Sequence, residues 1–388
     1  MKVKFEFATA TRIVFGAGTL KEIGSLARGF GQHVLVVTGR DPRRAESLIG
    51  FLKREPGIFS CTTFSVPGEP ALTTVTQGVT AAQLAGCDSV IAIGGGSAID
   101  AGKAIAAMLT NEGELLDFVE VIGRGRTLAN PPAPFIAIPA TAGTGAEVTR
   151  NAVLAAPEQR VKVSLRSPLM LPRLAVVDPE LTYDLPAALT ASTGLDALTQ
   201  LIEPYVSCRA NPLMDAVCVE GIQRAARSLG LACSAGPNKT AREDMALASL
   251  FGGLALANAG LGAIHGFAAP IGGRFAAPHG AVCAALLPHV MAANIRALRE
   301  RAPDGDVLRR YGDIGRLLTG KQAAAADEGV EWIRELVAEL GIPGLGSYSI
   351  ESAHIGELVE KAAQASSMKG NPIVLTTGEL TDVLNAAL

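Results

Sequence analysis

The sequence predicts an α/β N-terminal domain built on a doubly wound parallel sheet, followed by an all-α C-terminal domain. Three observations carry that expectation. Short β-branched runs alternate with helical stretches as far as Asp178-Pro179, most of them closed by turn residues or proline, and beyond about Pro186 they give way to long Ala/Leu-rich segments with helical spacing. At 388 residues the chain exceeds a single module of about 150 residues, and a boundary near residue 185 divides it into domains 1–185 and 186–388.

Taken in order, Met1–Gly16 alternates polar and apolar residues like a strand and lacks the apolar run of a signal peptide, which implies a cytoplasmic location. Val34–Thr38 is then a strand, Arg43–Arg54 a helix, Thr62–Val66 a strand, Thr73–Ala85 a helix and Ser89–Ile93 a third strand. Phe135–Ile138 and Leu174–Val177 extend the sheet. Helices follow, broken at Asn211-Pro212, Gly236-Pro237 and Gly341–Gly344. Met245–Ile264 carries no charge and is long enough to span a bilayer. Its Gly, Ala, Ser and Asn content, with no second such segment and no basic flank, reads instead as a buried helix of a soluble domain.

Composition removes several partners. Basic and acidic side chains nearly cancel, 34 against 37, so nucleic acid, membrane surfaces and polyanions lose their electrostatic footprint. The six cysteines are isolated, without a CxxC pair, and read as reduced and buried. Only five histidines are present, so any chemistry that needs imidazole draws on a short list.

Directly after the strand Ser89–Ile93 come Gly94, Gly95, Gly96 and Ser97, then a helical stretch containing Asp100. Glycines admit a phosphate close to the backbone, Ser97 can cap the helix, and the helix N-terminus offers free N–H groups in a favourable dipole. The alternative is a glycine turn without a ligand. The pattern is not GxGxxG and follows the third strand rather than the first, so the domain is Rossmann-like without being an ordinary Rossmann unit. A second loop of small hydroxyl and glycine residues, Pro139–Thr149 with Thr141, Thr144 and Thr149, also follows a strand, and the two loops together suggest one dinucleotide. After the first strand, Gly39, Arg40 and Arg43 stand where an acidic residue would favour NAD, which points to the 2′-phosphate of NADP. Asp41 keeps NAD open, and a solvated basic helix start is the plain alternative.

In the helical half, Asp196 and Gln200 are spaced i, i+4 and share a helix face. His265 and His279 lie further on, each followed by glycine. Carboxylate and imidazole donors of this kind suit Fe²⁺ or Zn²⁺ with a position left for substrate, although a histidine taken alone is more often a hydrogen-bonded core residue than a ligand.

The set Gly94–Lys103, Pro139–Thr149, Gly194–Thr199 and His265-Gly266 with Pro278-His279-Gly280 resembles the iron-containing (group III) alcohol dehydrogenase family, and does so over essentially the whole chain. The resemblance implies the dehydroquinate synthase-like architecture, with a Rossmann-like nucleotide domain, a helical metal domain and an active site in the cleft between them. It implies an NAD(P)-dependent alcohol dehydrogenase or aldehyde reductase acting on a small alcohol or aldehyde, and a homodimer joined by N-terminal strands. Gly95, Gly96 and Ser97 match the family's pyrophosphate loop; Asp100, Thr141, Thr144 and Lys162 match positions around the nicotinamide. Asp196, His265 and His279 match three metal ligands. The family usually has histidine where this chain has Gln200, and often where it has Ala269. A neutral glutamine oxygen is the weaker donor. The related maleylacetate reductases work without a bound metal, so the resemblance leaves a metal-independent oxo-acid reductase as the alternative, with Arg274 as its anion contact or else a surface arginine.

Overall fold

The computed structural model describes residues 4–58, 60–234 and 238–388. The expected break at Gly236-Pro237 and the first three residues of the expected N-terminal strand lie outside the described residues. The chain forms two compact units. One comprises Ala8–Thr141 and Gly145–Tyr183, and the other the N-terminal residues up to Phe7, Ala142–Thr144 and Asp184–Leu388.

In the first unit the order is β1 (Ile13–Phe15), α1 (Ile23–Ala27), β2 (His33–Thr38), α2 (Glu46–Leu52), β3 (Ser60–Ser65), α3 (Leu72–Leu84), β4 (Ser89–Gly94), α4 (Gly96–Met108), α5 (Leu115–Phe118), β5 (Phe135–Pro139), β6 (Asn151–Ala156), β7 (Val161–Arg166) and β8 (Leu174–Val177). Six strands form one sheet in the order β1-β8-β5-β4-β2-β3, with every pair parallel. The apolar runs are continuous because both faces of this sheet are covered. Leu35, Val37, Val90, Ala92, Phe135 and Ala137 face one core with α3 and α4. Their neighbours Val34, Val36, Ile91, Ile93, Ile136 and Ile138 face another with α1 and α2.

Three expectations need correction. Among the described residues of the N-terminal alternation only Ile13–Phe15 is a strand, paired at the sheet edge with β8. The glycine-bearing strand is therefore the fourth in chain order. The antiparallel hairpin of β6 and β7 was not expected at all, although Val161–Arg166 alternates and Pro157–Arg160 makes the turn. It lies apart from the main sheet, tied to the chain before α3 by Ala155 N–H donating to Pro70 O (2.8 Å).

The second unit is helical: α6 (Ala187–Val206), α7 (Pro212–Cys233), α8 (Lys239–Ala259), α9 (Ala263–Arg274), α10 (His279–Arg301), α11 (Asp306–Thr319), α12 (Ala326–Glu339), α13 (Ile355–Gln364) and α14 (Thr377–Ala387). They share one core. Asn211 caps α7, accepting from Met214 N–H, with Pro212 in the first turn where its missing N–H is harmless. The charge-free stretch Met245–Ile264 is not one helix. It breaks at Gly260–Gly262, with Gly260 at φ +73°, and the axes of α8 and α9 differ by 100°. Among the described residues one single helix, α10, is long and apolar enough to cross a bilayer, contrary to expectation, and 83% of its apolar window is buried in the protein. Cysteine burial is likewise narrower than expected: all six are free, Cys218 and Cys283 are buried, and Cys208 is exposed.

A buried carboxyl beside a buried lysine in the first unit sets a pH dependence. Lys103 is fully buried, its Nζ donating to Thr149 Oγ1 (2.9 Å) and to the carbonyls of Thr149 and Asn151, with Asp100 Oδ1 at 3.4 Å. Burial pushes the nearby Glu147 carboxyl up to about 7, against the pull of the Lys103 charge. The folded state then keeps the Glu147 proton to higher pH than the unfolded chain, so stability falls as pH rises from the ordinary glutamate range through about 7. Glu147→Gln should raise the melting temperature at pH 8, by a difference on the order of 1–3 kcal/mol, and leave it unchanged near pH 4. Thermal melts across that range that show a constant gap would contradict this account.

Candidate metal centre and nucleotide loop

Helix α6 is buried along most of its length from Gly194, so Asp196, Gln200 and Glu203 project into the helical unit rather than into solvent. Close approach of the next elements makes the site. A Cβ on Gly280 would lie 2.4 Å from Ser192 O, so glycine lets the start of α10 press against α6. His265 enters from the first turn of α9, and His279 and Cys283 from successive turns of α10.

These side chains converge. His265 Nε2 is 3.4 Å and His279 Nε2 3.7 Å from Asp196 Oδ1. Cys283 Sγ lies 3.8 Å from each Nε2, and the four donor atoms are all within 4.8 Å of one another. Asp196, His265 and Cys283 are buried, and the His279 side chain keeps 34% exposure. Glu203, also buried, accepts from His265 Nδ1 (2.6 Å) with one oxygen and from Ile264 N–H (2.7 Å) with the other. That bond keeps a proton on Nδ1 and points Nε2 toward Asp196, the orientation that a carboxylate behind the ring gives a metal-binding histidine. Gln200 Nε2 donates to Gly143 O (3.0 Å), which fixes the amide and leaves Oε1 buried without a hydrogen-bond partner. Asp196 Oδ1 is buried without one as well.

The electrostatics follow from this crowding. Burial works against ionisation of Asp196, yet His279 and His265 outweigh it and hold the carboxyl below its ordinary value. Burial also opposes protonation of His265, but Cys283, Glu203 and Asp196 raise its pKa well above the usual histidine range. The site is a buried pocket of acceptors balanced by imidazoles.

In the α/β unit the glycine loop is built as the sequence suggests, with one change. Gly94 has φ +155°, and a Cβ there would meet Ala98 Cβ at 2.8 Å and Gly39 N at 3.3 Å, so a side chain is excluded. Gly95, not Ser97, is the N-cap of α4, and no side chain caps the helix. Gly95 O accepts from Ala98 and Ile99, and the first amides, Gly96 and Ser97, have no acceptor within the helix. Thr141 packs against the Gly95 position, while Thr144 lies further along that loop in the Ala142–Thr144 stretch of the helical unit. Asp100 Oδ2 accepts from Val153 N–H (3.1 Å), and Thr149 is buried holding Lys103. Lys162, on β7, forms an ion pair with Glu69. Gly39 has open space at its Cβ position; Arg40 donates to Pro67 O (3.0 Å) and Arg43 pairs with Asp41 at 2.8 Å.

The sequence reading passed over two residues of the cluster. Cys283 follows His279 by four positions, the same i, i+4 spacing that drew attention to Asp196 and Gln200, and Glu203 lies two turns after Asp196. The other histidines are elsewhere: His33 meets Ser60 Oγ, His354 accepts from Glu351 N–H, and burial lowers the pKa of His289. Ala269 is exposed.

Two family models match the chain: iron-containing alcohol dehydrogenase over residues 10–179, and the C-terminal part of the Fe-containing alcohol dehydrogenase family over residues 190–388. The chain is 35% identical over 376 residues to 1,3-propanediol dehydrogenase of Klebsiella pneumoniae, covering 95% of each. It is 35% identical over 381 residues to alcohol dehydrogenase 4 of Schizosaccharomyces pombe, covering 97% of this chain and 87% of that one. The crystal structure of a 1,3-propanediol oxidoreductase superposes with a TM-score of 0.91 at 32% identity, over 99% of this chain and 100% of that one.

The contact at Gly280 can be tested without any ligand. Gly280→Ala must push α10 away from the Ser192 carbonyl and should destabilise the protein by about 1–3 kcal/mol in denaturant titration. Gly356→Ala, in the exposed first turn of α13 with nothing near its Cβ position, should be neutral or stabilising by up to about 1 kcal/mol. Equal effects at the two positions would remove the packing argument.

Proposed function

The chain belongs to the iron-containing alcohol dehydrogenase family, and we propose that it interconverts a small primary alcohol and its aldehyde by direct hydride transfer at a nicotinamide cofactor, assisted by a divalent metal. The observation that carries the reading is the convergence of Asp196, His265 and His279 around a buried carboxylate oxygen that has no hydrogen-bond donor. An ionised acceptor in that state is costly unless a cation faces it, so the residues present fit a metal. Asp196, His265 and His279 would hold it, and the partnerless Oε1 of Gln200 is a further neutral donor. A divalent ion there supplies Lewis acidity toward the substrate oxygen.

The protein's own work is placement. Glu203 fixes the His265 ring. The unacceptored amides of Gly96 and Ser97 suit a pyrophosphate, with Gly94 and Gly95 allowing close approach and Thr141 beside them. Asp100 and Thr144 are retained as contacts of the cofactor, whereas the Thr149 side chain acts through Lys103. Lys162 carries Glu69 as its counter-ion, so its field at a bound nicotinamide would be that of a dipole rather than of a free charge. Ala269 cannot titrate, and proton exchange between the substrate oxygen and solvent falls to water, a ribose hydroxyl of the cofactor or another side chain. Nothing favours the metal-independent oxo-acid reductase: Arg274, its expected anion contact, pairs with Glu357 and lies over the Phe275 ring.

Finer assignments belong to the same proposal. Fe²⁺ and Zn²⁺ both suit carboxylate and imidazole donors. NADP(H) preference rests on the open position at Gly39 beside Arg40 and Arg43, although Asp41 already engages Arg43. Six free cysteines fit a reducing, cytoplasmic compartment, and exposed Phe5 and Phe7 fit a homodimer joined through the N-terminal segments.

Two experiments test these readings. Purified protein assayed with a panel of small aldehydes should turn over, contain stoichiometric metal and lose activity on chelation; full activity in metal-free protein would overturn the metal-assisted reading. For the cofactor, Gly39→Asp should shift the ratio of kcat/KM for NADPH over NADH toward NADH by roughly tenfold or more, because a carboxylate accepts from ribose hydroxyls and repels a 2′-phosphate. An unchanged ratio would detach Gly39 from cofactor choice.

A further inference from the structure

Cys283 is the one member of the donor cluster that neither the sequence reading nor the proposal above employs. It leaves α10 one turn after His279, is fully buried, and has its Sγ 3.8 Å from both imidazole nitrogens. The buried Asp196 Oδ1, without a donor of its own, sits in the same cluster. The spacings are informative. Bonds of about 2.0–2.1 Å to nitrogen or oxygen and about 2.3 Å to sulfur, arranged tetrahedrally, imply donor–donor edges of about 3.3–3.4 Å and, where sulfur is involved, about 3.5–3.6 Å. The edges here are 3.4 and 3.7 Å from the carboxylate to the two imidazoles, and 3.8 Å from sulfur to each imidazole. These four edges are each within about 0.4 Å of the tetrahedral values, and the remaining pairs lie within 4.8 Å, so a small inward shift of the side chains would seat an ion among the four donors.

We propose that Cys283 is a metal ligand, so that the centre of this chain is Asp196, His265, His279 and a Cys283 thiolate, and that the sulfur donor makes it selective for Zn²⁺ over Fe²⁺. The inference rests on the metal-assisted reading above. On ligation the S–H bond is lost, a sulfur–metal bond forms and the proton passes to solvent, with no change of oxidation state. Thiolate is a softer donor than carboxylate, imidazole or amide, which biases the set toward zinc. Gln200 then becomes a neighbour of the centre, held by Gly143, rather than the fourth ligand that histidine would be in relatives.

Cobalt(II) is the probe. The full-length protein is stripped with a chelator, reloaded with Co²⁺ and compared with Cys283→Ser and Cys283→Ala, with far-ultraviolet circular dichroism reporting the fold of each. The wild type should show the visible d–d bands of a four-coordinate site together with near-ultraviolet sulfur-to-cobalt charge transfer. Both variants should keep bound cobalt and lose the charge-transfer band. In competition between metals, Cys283→Ser should weaken Zn²⁺ binding at least about tenfold, the lower end of what even an outer residue of a metal site costs, with a smaller change for Fe²⁺. Bound cobalt with d–d bands but no sulfur band in the wild type would overturn the assignment of Cys283 alone, as would a sulfur band that persists in the variants. A wild type that is folded yet binds no cobalt would overturn the metal centre itself. Should both variants unfold, a wild-type spectrum without charge transfer still refutes the ligand, and one with it, in a chain whose other five cysteines lie outside the donor cluster, supports it.

Discussion

A carboxylate oxygen buried without a donor is the constraint around which the helical unit is arranged. Asp196 sits in the middle of α6 with Oδ1 unpartnered, a state that a soluble protein avoids unless positive charge or a cation compensates. The compensating groups arrive from α9 and α10. The approach of α10 depends on the missing side chain of Gly280, and the orientation of His265 on a second buried carboxylate, Glu203, which accepts hydrogen bonds from His265 Nδ1 and from the Ile264 amide together. Glu203 thus sets both a ring and the start of the helix that carries it.

The α/β unit presents polar groups from backbone alone. The start of α4 offers amides with no acceptor inside the helix, where a capping side chain would ordinarily stand. Gly94 has to be glycine for two separate reasons, its positive φ and its contacts with Ala98 and Gly39. Charge is kept two turns further along α4, where Lys103 is held by Thr149, Asn151 and Asp100. Lys103 therefore serves the join between α4 and β6 rather than the Gly94–Ser97 loop.

What could be read from the sequence, and what could not, follows from the range of each interaction. The parallel sheet was legible because strands covered on both faces need unbroken apolar runs, and Val34–Thr38, Ser89–Ile93 and Phe135–Ile138 have no other simple reading. The hairpin of β6 and β7 was not, since its pairing partners are each other and its alternation is mixed with charge. The cap at Gly95 escaped because serine is the commoner capping residue and the backbone left it inside the first turn. Asp196, Gln200, His265 and His279 could be listed as donors, but their meeting depends on helix packing that no local spacing encodes. Cys283 was within reach, four residues from His279. It was passed over because an isolated cysteine in apolar surroundings usually means core.

The replacement of an imidazole by Gln200 and the presence of Cys283 have a joint electrostatic consequence. Asp196 with three imidazoles would set one negative charge against a divalent ion; Asp196 with a Cys283 thiolate sets two, and balances it. A balanced centre is held more firmly in a buried, low-dielectric site, because no net charge has to be desolvated. It also withdraws less electron density from a bound oxygen, so firmness and polarising strength move in opposite directions. Zinc sites built from two thiolates and one imidazole are nevertheless used for alcohol oxidation, which shows that a balanced centre retains enough Lewis acidity for hydride chemistry. On that reasoning the neutral amide at position 200 does not mark a decayed site. It fits one in which an additional anionic donor has entered from α10, and Gln200 keeps the shape of the pocket through its bond to Gly143 without adding charge to it.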